Sequence, residues 1–208
     1  VLDPFAGVGS AIVAAAKLGR KGIGIELSKN YHALSKDRLS RFKGWQVLLG
    51  DASNLVENVG KVDYIVTSPP YHNILRNNGK GIRHANGKAY RRGARDGVEF
   101  YSNHANDLGN FDHYEDFLIS LYTIMRKAFQ CLRSGRYCTM IISDFTVERT
   151  ETCVQGDVVR LMEAAGFDFV GTTVLLQTVK PLFPFGYPYA YIINHHHHNM
   201  ITFRKAKE

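Results

Sequence analysis

The sequence predicts an α/β protein built on a doubly wound, mostly parallel sheet. Short apolar stretches that suit strands alternate with longer stretches of helical periodicity along most of the chain. A glycine-rich turn follows the first strand, and a proline-rich turn follows the fourth. Ligands of open α/β sheets bind beyond the carboxyl ends of the strands. Both turns are therefore expected at the functional edge of one sheet.

The predicted elements follow one another without an internal repeat. A short first strand opens the chain, and six further strands are predicted at residues 21–26, 45–49, 62–66, 137–142, 167–176 and 200–205. Helices are predicted at residues 10–18, 29–42, 111–132 and 153–165, with a short turn or helix at 55–59. Ser28 is a candidate amino-terminal cap for the second helix, and Gly19 and Gly166 follow predicted helix ends.

Length and composition fit a single domain spanning residues 1–208. Of the 208 residues, 45% are hydrophobic, which is enough to bury one core. No stretch approaches the roughly 20 apolar residues that span a bilayer, and no signal peptide is recognisable. The three cysteines lack metal-ligand spacing, and their odd number favours reduced thiols in a cytoplasmic protein.

The charge of the chain favours a polyanionic partner. The net charge is +7. Residues 72–110 lack helical or strand periodicity and are predicted to form a long basic loop inserted after the fourth strand. This insert contains seven basic residues and no acid between its first and last arginine: Arg76, Lys80, Arg83, Lys88, Arg91, Arg92 and Arg95. Phosphate contacts are the favoured interpretation, and a solvated loop is the alternative.

The glycine-rich turn, residues 3–10 (DPFAGVGS), lies between a strand and a helix. This placement suits a tight turn beside a nucleotide. A dinucleotide fingerprint would need a third glycine at Ile12, so a nicotinamide cofactor is disfavoured. Acids close the next two predicted strands, Glu26 after the second and Asp51 after the third. Each acid taken singly is also compatible with an ordinary turn or cap.

The proline-rich turn, residues 67–71 (TSPPY), follows a strand that reads as buried. Proline cannot continue a central ladder, so the chain must leave the sheet there. The turn places a hydroxyl, two carbonyls and an aromatic ring at the carboxyl end of the strand. In isolation such a segment is also compatible with a surface turn.

Together, DPFAGVGS and TSPPY resemble the two diagnostic motifs of the methyltransferases that transfer a methyl group from S-adenosylmethionine to an exocyclic amine of a DNA base. The resemblance covers the catalytic core, roughly the whole chain. It implies a Rossmann-like, class I methyltransferase sheet of seven strands that ends in an antiparallel hairpin. It also implies S-adenosylmethionine as cofactor and DNA as substrate, as in restriction–modification, with RNA as an alternative.

The resemblance places the cofactor at the first three strand ends. S-adenosylmethionine carries no phosphates, and its hydroxyls and amines need acceptors. Glu26 is expected to accept from both ribose hydroxyls and Asp51 from the adenine amine, while Asp3 lies near the methionine end. The expected cofactor-binding residues are Asp3, Phe5, Gly7, Gly9, Glu26 and Asp51.

The resemblance makes Ser68, Pro69, Pro70 and Tyr71 the expected catalytic residues. Ser68 Oγ and the Pro69 carbonyl would accept from both protons of the base amine, while Tyr71 stacks on the ring. A serine at the first position favours N4 of cytosine over N6 of adenine within the family. No cysteine adjoins the turn, which disfavours ring-carbon methylation. A base within a duplex would have to be flipped.

Substrate contacts are expected outside the two motifs. The expected substrate-binding residues are Arg76, Arg83, Arg91, Arg92, Arg95, Phe183 and Phe185. The two phenylalanines would form a second wall for the flipped base, and a core role suits them equally well. No target-recognition domain fits between the motifs. Recognition is therefore expected from the insert, from residues outside this chain, including a native segment before Val1, or from a partner chain.

Two further interpretations concern metal binding and catalytic competence. Residues 195–198 are four consecutive histidines, and neighbouring side chains on a strand point to opposite faces. They therefore cannot all bind one ion, so a solvent-exposed turn is expected and no metal site. A non-catalytic, nucleic-acid-binding subunit with a degenerate pocket is a further alternative, which the intact SPPY tetrapeptide disfavours.

Overall fold

A computed structural model describes residues 1–72, 102–147, 150–179 and 193–207. The described strands are β1 (Leu2–Asp3), β2 (Gly22–Glu26), β3 (Trp45–Leu49), β4 (Val62–Thr67), β5 (Leu132–Ile142), β6 (Phe145–Val147), β7 (Thr150–Thr152), β8 (Asp168–Leu176) and β9 (His197–Arg204). The α-helices are α1 (Ser10–Lys17), α2 (Lys29–Leu39), α3 (Ala52–Leu55), α4 (Tyr114–Cys131) and α5 (Val154–Ala164). Short 3₁₀ turns occupy Val56–Val59 and Leu108–Asn110.

Seven of these strands form one doubly wound sheet, in the order β3-β2-β1-β4-β5-β9-β8. β1 to β5 run parallel to one another, and β9 runs antiparallel between β5 and β8. The predicted seven-stranded, mostly parallel sheet with a terminal antiparallel pair is thus confirmed. Among the described helices, none is long and apolar enough to cross a membrane.

The sheet is buried at its centre, where β1 lies between β2 and β4. Leu2 and Ile65 face each other across β1 and β4, and both are fully buried. Phe117, Leu121 and Met125 project from α4 into the main core at four-residue spacing. This spacing places one apolar stripe of the helix against the sheet. The carboxyl ends of β1 and β4 are therefore supported from below by packed side chains.

The histidine segment differs from the sequence-based expectation. Instead of a solvent-exposed turn, β9 already begins at His197, and His195–His198 are half-buried. The reason is pairing on both sides: His198 is opposite Leu175 of β8, and Asn199 is opposite both Val174 of β8 and Ile142 of β5. Backbone pairing of this kind carries no sequence requirement for apolar residues.

Two other differences concern short or irregular pairing. β5 begins at Leu132, five residues before the predicted start, because the extension is held by Gly135 N–H bonding to Lys205 O at 2.8 Å. The β6–β7 hairpin, which lies between two predicted elements, was not predicted at all. Its strands have three residues each, too few for a recognisable alternation.

Gly24 of β2 lies in close contact with α1 and the glycine-rich turn. A Cβ atom at this position would lie 2.8 Å from Ala6 Cβ and 3.3 Å from Ile12 Cγ1. Gly24→Ala should therefore lower the free energy of unfolding by about 1–3 kcal/mol, the usual cost of overpacking, as measured by urea denaturation. In an Ala6→Gly background the loss should shrink, because the nearest clashing atom is gone. Equal losses in both backgrounds would contradict this account.

Candidate functional site

A cavity of about 390 Å³ opens at the carboxyl ends of the central strands. In the sheet, β2 lies on one side of β1 and β4 lies on the other. The cavity therefore lies at the topological switch point, where the strand order reverses direction. It brings together the two predicted motifs and residues from three later segments of the chain. It is lined by Phe5, Gly7, Val8, Ile25, Glu26, Leu27, Tyr31, Gly50, Asp51, Ala52, Ser68, Pro69, Pro70, Tyr71, Asn106, Asp107, Leu108, Ile124 and His198.

The glycine-rich turn is held tightly between β1 and α1. Gly9 N–H donates to Ala6 O at 2.8 Å, and Arg38 donates from α2 to Val8 O at 2.6 Å. Gly9 has a φ of +78°, and a Cβ there would lie 3.1 Å from Ser35 Cβ. Both facts require glycine at this position. Gly9 shapes the turn and packs against α2, whereas Gly7 borders the cavity.

Glu26 ends β2 with both carboxylate oxygens fixed by backbone donors. Gly7 N–H donates to Oε2 and Ser28 N–H donates to Oε1, each at 2.7 Å. Burial raises the pKa of Glu26, and these two hydrogen bonds oppose the rise. A carboxylate oxygen accepts more than one hydrogen bond, so Glu26 keeps acceptor capacity for a ligand in the cavity.

Asp51 follows β3 and is engaged by two partners. Its Oδ1 accepts from Ser53 N–H at 2.8 Å, which caps α3. Its Oδ2 accepts from the side-chain amide of Asn106 at 2.7 Å. Asn106 therefore orients the carboxylate of Asp51, which the sequence analysis named as an expected cofactor-binding residue. Any ligand amine near Asp51 meets this pair and not an isolated acid.

Asp3 lies below the cavity instead of in its lining. Its side chain is buried, and Oδ1 accepts from Thr67 Oγ1 at 2.7 Å and from Phe5 N–H at 3.1 Å. Burial raises the pKa of Asp3 to about 6, against the opposing effect of these hydrogen bonds. Thr67 closes β4, so the bond joins the ends of β1 and β4 directly. Asp3 consequently links the glycine-rich turn to the proline-rich turn.

The proline-rich turn presents its polar groups to the cavity. Ser68 is exposed, Pro69 is buried, and both line the cavity with Pro70 and Tyr71. The Tyr71 ring stacks on Phe145 with 5.6 Å between ring centroids and 20° between planes. The Tyr71 hydroxyl accepts from Ser143 N–H at 3.1 Å. The structure thus brings together the four predicted catalytic residues. Tyr71 is held by the stacked contact on one ring face and by the hydrogen bond to its hydroxyl.

The lining residues that the sequence analysis missed include four from the predicted insert and the histidine run. Asn106, Asp107 and Leu108 belong to the end of the predicted insert, and His198 to the histidine run. Asp107 is buried and accepts from Ser102 Oγ at 2.6 Å and Gly109 N–H at 2.9 Å, which folds residues 102–110 into a compact turn. An Asp followed two residues later by Gly is a turn signal that was available in the sequence.

The expected substrate-binding residues are not placed by the structure. Arg76, Arg83, Arg91, Arg92, Arg95, Phe183 and Phe185 lie outside the described residues. Within residues 1–72, 102–147, 150–179 and 193–207, no group of three or more His, Cys, Asp or Glu side chains is arranged to hold a metal ion. In the histidine run, His195 Nε2 lies 3.0 Å from Glu151 Oε1.

The amino-terminal segment is similar to known methylases. Residues 1–37 match the sequence model of a family described as DNA methylase. Over 40 residues the chain is 58% identical to an Escherichia coli K12 protein named "Putative methylase YubD". These residues make up 19% of this chain and 18% of that protein, so the match spans less than a fifth of the curated relative. The family match includes the glycine-rich turn and Glu26 and ends before Asp51 and the proline-rich turn.

Solved structures share the fold at low sequence identity. TrmN from Thermus thermophilus aligns with a TM-score of 0.54 at 17% identity, over 98% of this chain and 43% of that one. A TehB-like SAM-dependent methyltransferase from Corynebacterium glutamicum aligns with a TM-score of 0.54 at 15% identity, over 98% of this chain and 78% of that one. The chain therefore has the class I, Rossmann-like methyltransferase fold. Its first 37 residues further match the DNA methylase family.

The raised pKa of Asp3 predicts a specific pH dependence of stability. Because its pKa is about 6 when folded and 3.8 as a free group, the folded protein holds the Asp3 proton to higher pH. The resulting stabilisation is complete below about pH 4 and is lost as the pH rises through about 6. Relative to Asp3→Asn, the free energy of unfolding of the wild type should fall by about 3 kcal/mol across this interval.

Urea unfolding of both proteins at several pH values measures this difference. Groups other than Asp3 titrate in both proteins and cancel in the comparison. Parallel pH curves for wild type and Asp3→Asn would contradict the buried, proton-holding state of Asp3.

Proposed function

We propose that this protein transfers a methyl group from S-adenosylmethionine to an exocyclic amine of a nucleic-acid base, with DNA as the substrate. The observation that carries the proposal is the cavity itself, which combines Glu26 and Asp51 at one part of its wall with the SPPY tetrapeptide at another. The match of residues 1–37 to the DNA methylase family supports the choice of DNA. The class I methyltransferase fold supports the choice of cofactor.

The acceptors around the cavity fit S-adenosylmethionine. Glu26 would accept from the ribose hydroxyls, and Asp51, oriented by Asn106, from the adenine amine. Phe5 and Leu108 offer apolar contact nearby. When bound, the cofactor supplies an electrophilic methyl group on a sulfonium. The buried side chain of Asp3 would support the glycine-rich turn from below the cavity. Gly9 would contribute by packing against α2 and not by contacting the cofactor.

The proline-rich turn would activate the amine by positioning and electrostatics. The lone pair of a base amine is delocalised into the ring, so the nitrogen is a poor nucleophile. Ser68 Oγ and the Pro69 carbonyl would accept from its two protons and favour a tetrahedral nitrogen. Tyr71 would stack on the base and fix the nitrogen in line. None of these residues needs to form a covalent bond to the base.

The finer assignments rest on the residue types of the motif and on the sequence of the insert. Serine at the first position of the tetrapeptide supports N4 of cytosine over N6 of adenine. The basic residues of the 72–110 insert support phosphate contacts within a single catalytic domain that spans residues 1–208. A cytoplasmic location and a partner chain or further segment for target recognition belong to the same proposal.

Labelling pooled DNA and RNA with radioactive cofactor, followed by mass spectrometry of the nucleosides, tests the proposal. Label in N4-methylcytosine of DNA would support it in full, and label in N6-methyladenine would correct the target base. Label confined to RNA would replace DNA as the substrate. Absence of transfer to either polymer would overturn the proposed function.

Glu26 should dominate recognition of the ribose. Glu26→Ala should weaken cofactor binding by about 1–3 kcal/mol, because buried ligand hydroxyls would lose their acceptor. Isothermal titration calorimetry measures the change, with thermal unfolding as a check that the glycine-rich turn stays folded. Asp37→Ala is a matched control, since Asp37 is an exposed acid on α2 that does not line the cavity. Unchanged affinity in Glu26→Ala would exclude the proposed orientation of the cofactor.

Ser68 should affect turnover far more than cofactor binding, because its expected contact is the base amine. Ser68→Ala should lower kcat by about a hundredfold, as when one positioned polar group is lost from an active site. Ser40→Ala, at the exposed end of α2, serves as the control and should retain wild-type kinetics. Wild-type turnover in Ser68→Ala would move the catalytic group elsewhere.

A further inference from the structure

Tyr71 is the aromatic residue of the proline-rich turn, and residues from later parts of the chain hold its ring in place. Phe145 covers one face of the ring and is itself buried outside the cavity lining. The stacked contact with Phe145 therefore lies outside the cavity lining, whereas Tyr71 itself borders the cavity. A ring supported in this way can act as a preset wall, provided that its hydroxyl end is also held.

The hydroxyl end is held by a backbone group just after β5 and by a side chain of β9. Ser143, directly after β5, donates its backbone N–H to Tyr71 Oη at 3.1 Å. His198, in β9, has Nδ1 3.0 Å from Tyr71 Oη and 2.8 Å from Ser143 Oγ. Ser143 Oγ also donates to His197 O at 2.8 Å. These contacts form one connected network around the phenol.

Both neutral tautomers of His198 preserve the bond to Tyr71. With Nδ1 protonated, the imidazole donates to the phenol oxygen, and with Nε2 protonated, the phenol donates to Nδ1. The other ring nitrogen contacts the side-chain amide of Gln177 just after β8. Both ring nitrogens of His198 therefore have a partner, and Nδ1 is the one that contacts Tyr71.

We propose that His198 is a positioning residue for the base: with Ser143, it holds the Tyr71 phenol so that the ring is preset at the cavity wall for stacking. The inference rests on the proposed function, because it concerns the base-binding side of the same cavity. It assigns a role to a residue in the histidine run, which neither motif contains. Presetting a ring reduces the ordering that substrate binding must otherwise impose.

Three substitutions separate the Nδ1 contact from the rest of the imidazole. Asparagine places a polar atom near the position of Nδ1, whereas glutamine reaches toward the position of Nε2. His198→Ala should lower kcat/KM for nucleic acid by about tenfold, the equivalent of one hydrogen bond. His198→Asn should recover most of this loss and His198→Gln little of it. Cofactor affinity, measured by calorimetry, should change less than about twofold in all three, because the network lies on the base side.

A double-mutant cycle with Tyr71→Phe tests whether His198 acts through the phenol. In the Tyr71→Phe background, His198→Ala should lower kcat/KM by less than about twofold further, since the bond is already absent. Thr202→Val is the matched control: it lies on the same strand and contacts Thr139 Oγ1 at 3.4 Å, but it does not line the cavity. Its kcat/KM should equal that of the wild type.

The outcomes distinguish this inference from the proposed function. Equal impairment of the alanine and asparagine variants, or fully additive effects in the cycle, would overturn the role of His198 while leaving methyl transfer intact. A wild-type protein that methylates neither DNA nor RNA would overturn the proposed function and this inference with it. If His198→Ala does not fold, equal kcat/KM in the asparagine and glutamine variants would suffice to overturn it.

Discussion

The hydrogen bond from Thr67 Oγ1 to Asp3 Oδ1 is the contact on which the geometry of the cavity depends. β1 is only two residues long and has a single paired position with β4, Leu2 opposite Ile65. The side-chain bond extends this pairing to the last residue of each strand, where both turns begin. Burial opposes the charged form of Asp3, and the bonds from Thr67 and Phe5 N–H oppose that effect.

The two sides of the cavity are fixed by different means. On the Glu26 side, backbone N–H groups hold the carboxylate, and they are available as soon as β1, β2 and the intervening turn are folded. On the Tyr71 side, the ring depends on Phe145, Ser143 and His198, which come from later parts of the chain. The first arrangement is local in sequence and the second is not. This difference explains why Glu26 and the glycine-rich turn that contacts it lie within one short stretch of the sequence.

The same difference decides how much the sequence could predict. The strand Trp45–Leu49 was predicted to the residue, because it is an apolar stretch, interrupted only by Gln46, between turn signals. The SPPY tetrapeptide and Glu26 were located from their positions at strand ends and do line the cavity. His198 was not found, since its place depends on the register of β9 against β5 and β8, which no local pattern encodes. Asn106 required knowledge of a turn folded back onto Asp51.

The position of β9 has a consequence for the order in which the protein matures. β9 lies between β5 and β8, so β8 has no strand beside it in this sheet until β9 is inserted. During synthesis, the Glu26 side of the cavity emerges well before residue 198 and can fold early. The support of Tyr71 is complete only when the chain has been made through β9, which carries His198. A nascent chain is thus able to form the Glu26 side of the cavity while the Tyr71 side is still incomplete, so the proposed methyl transfer would have to await completion of the sheet.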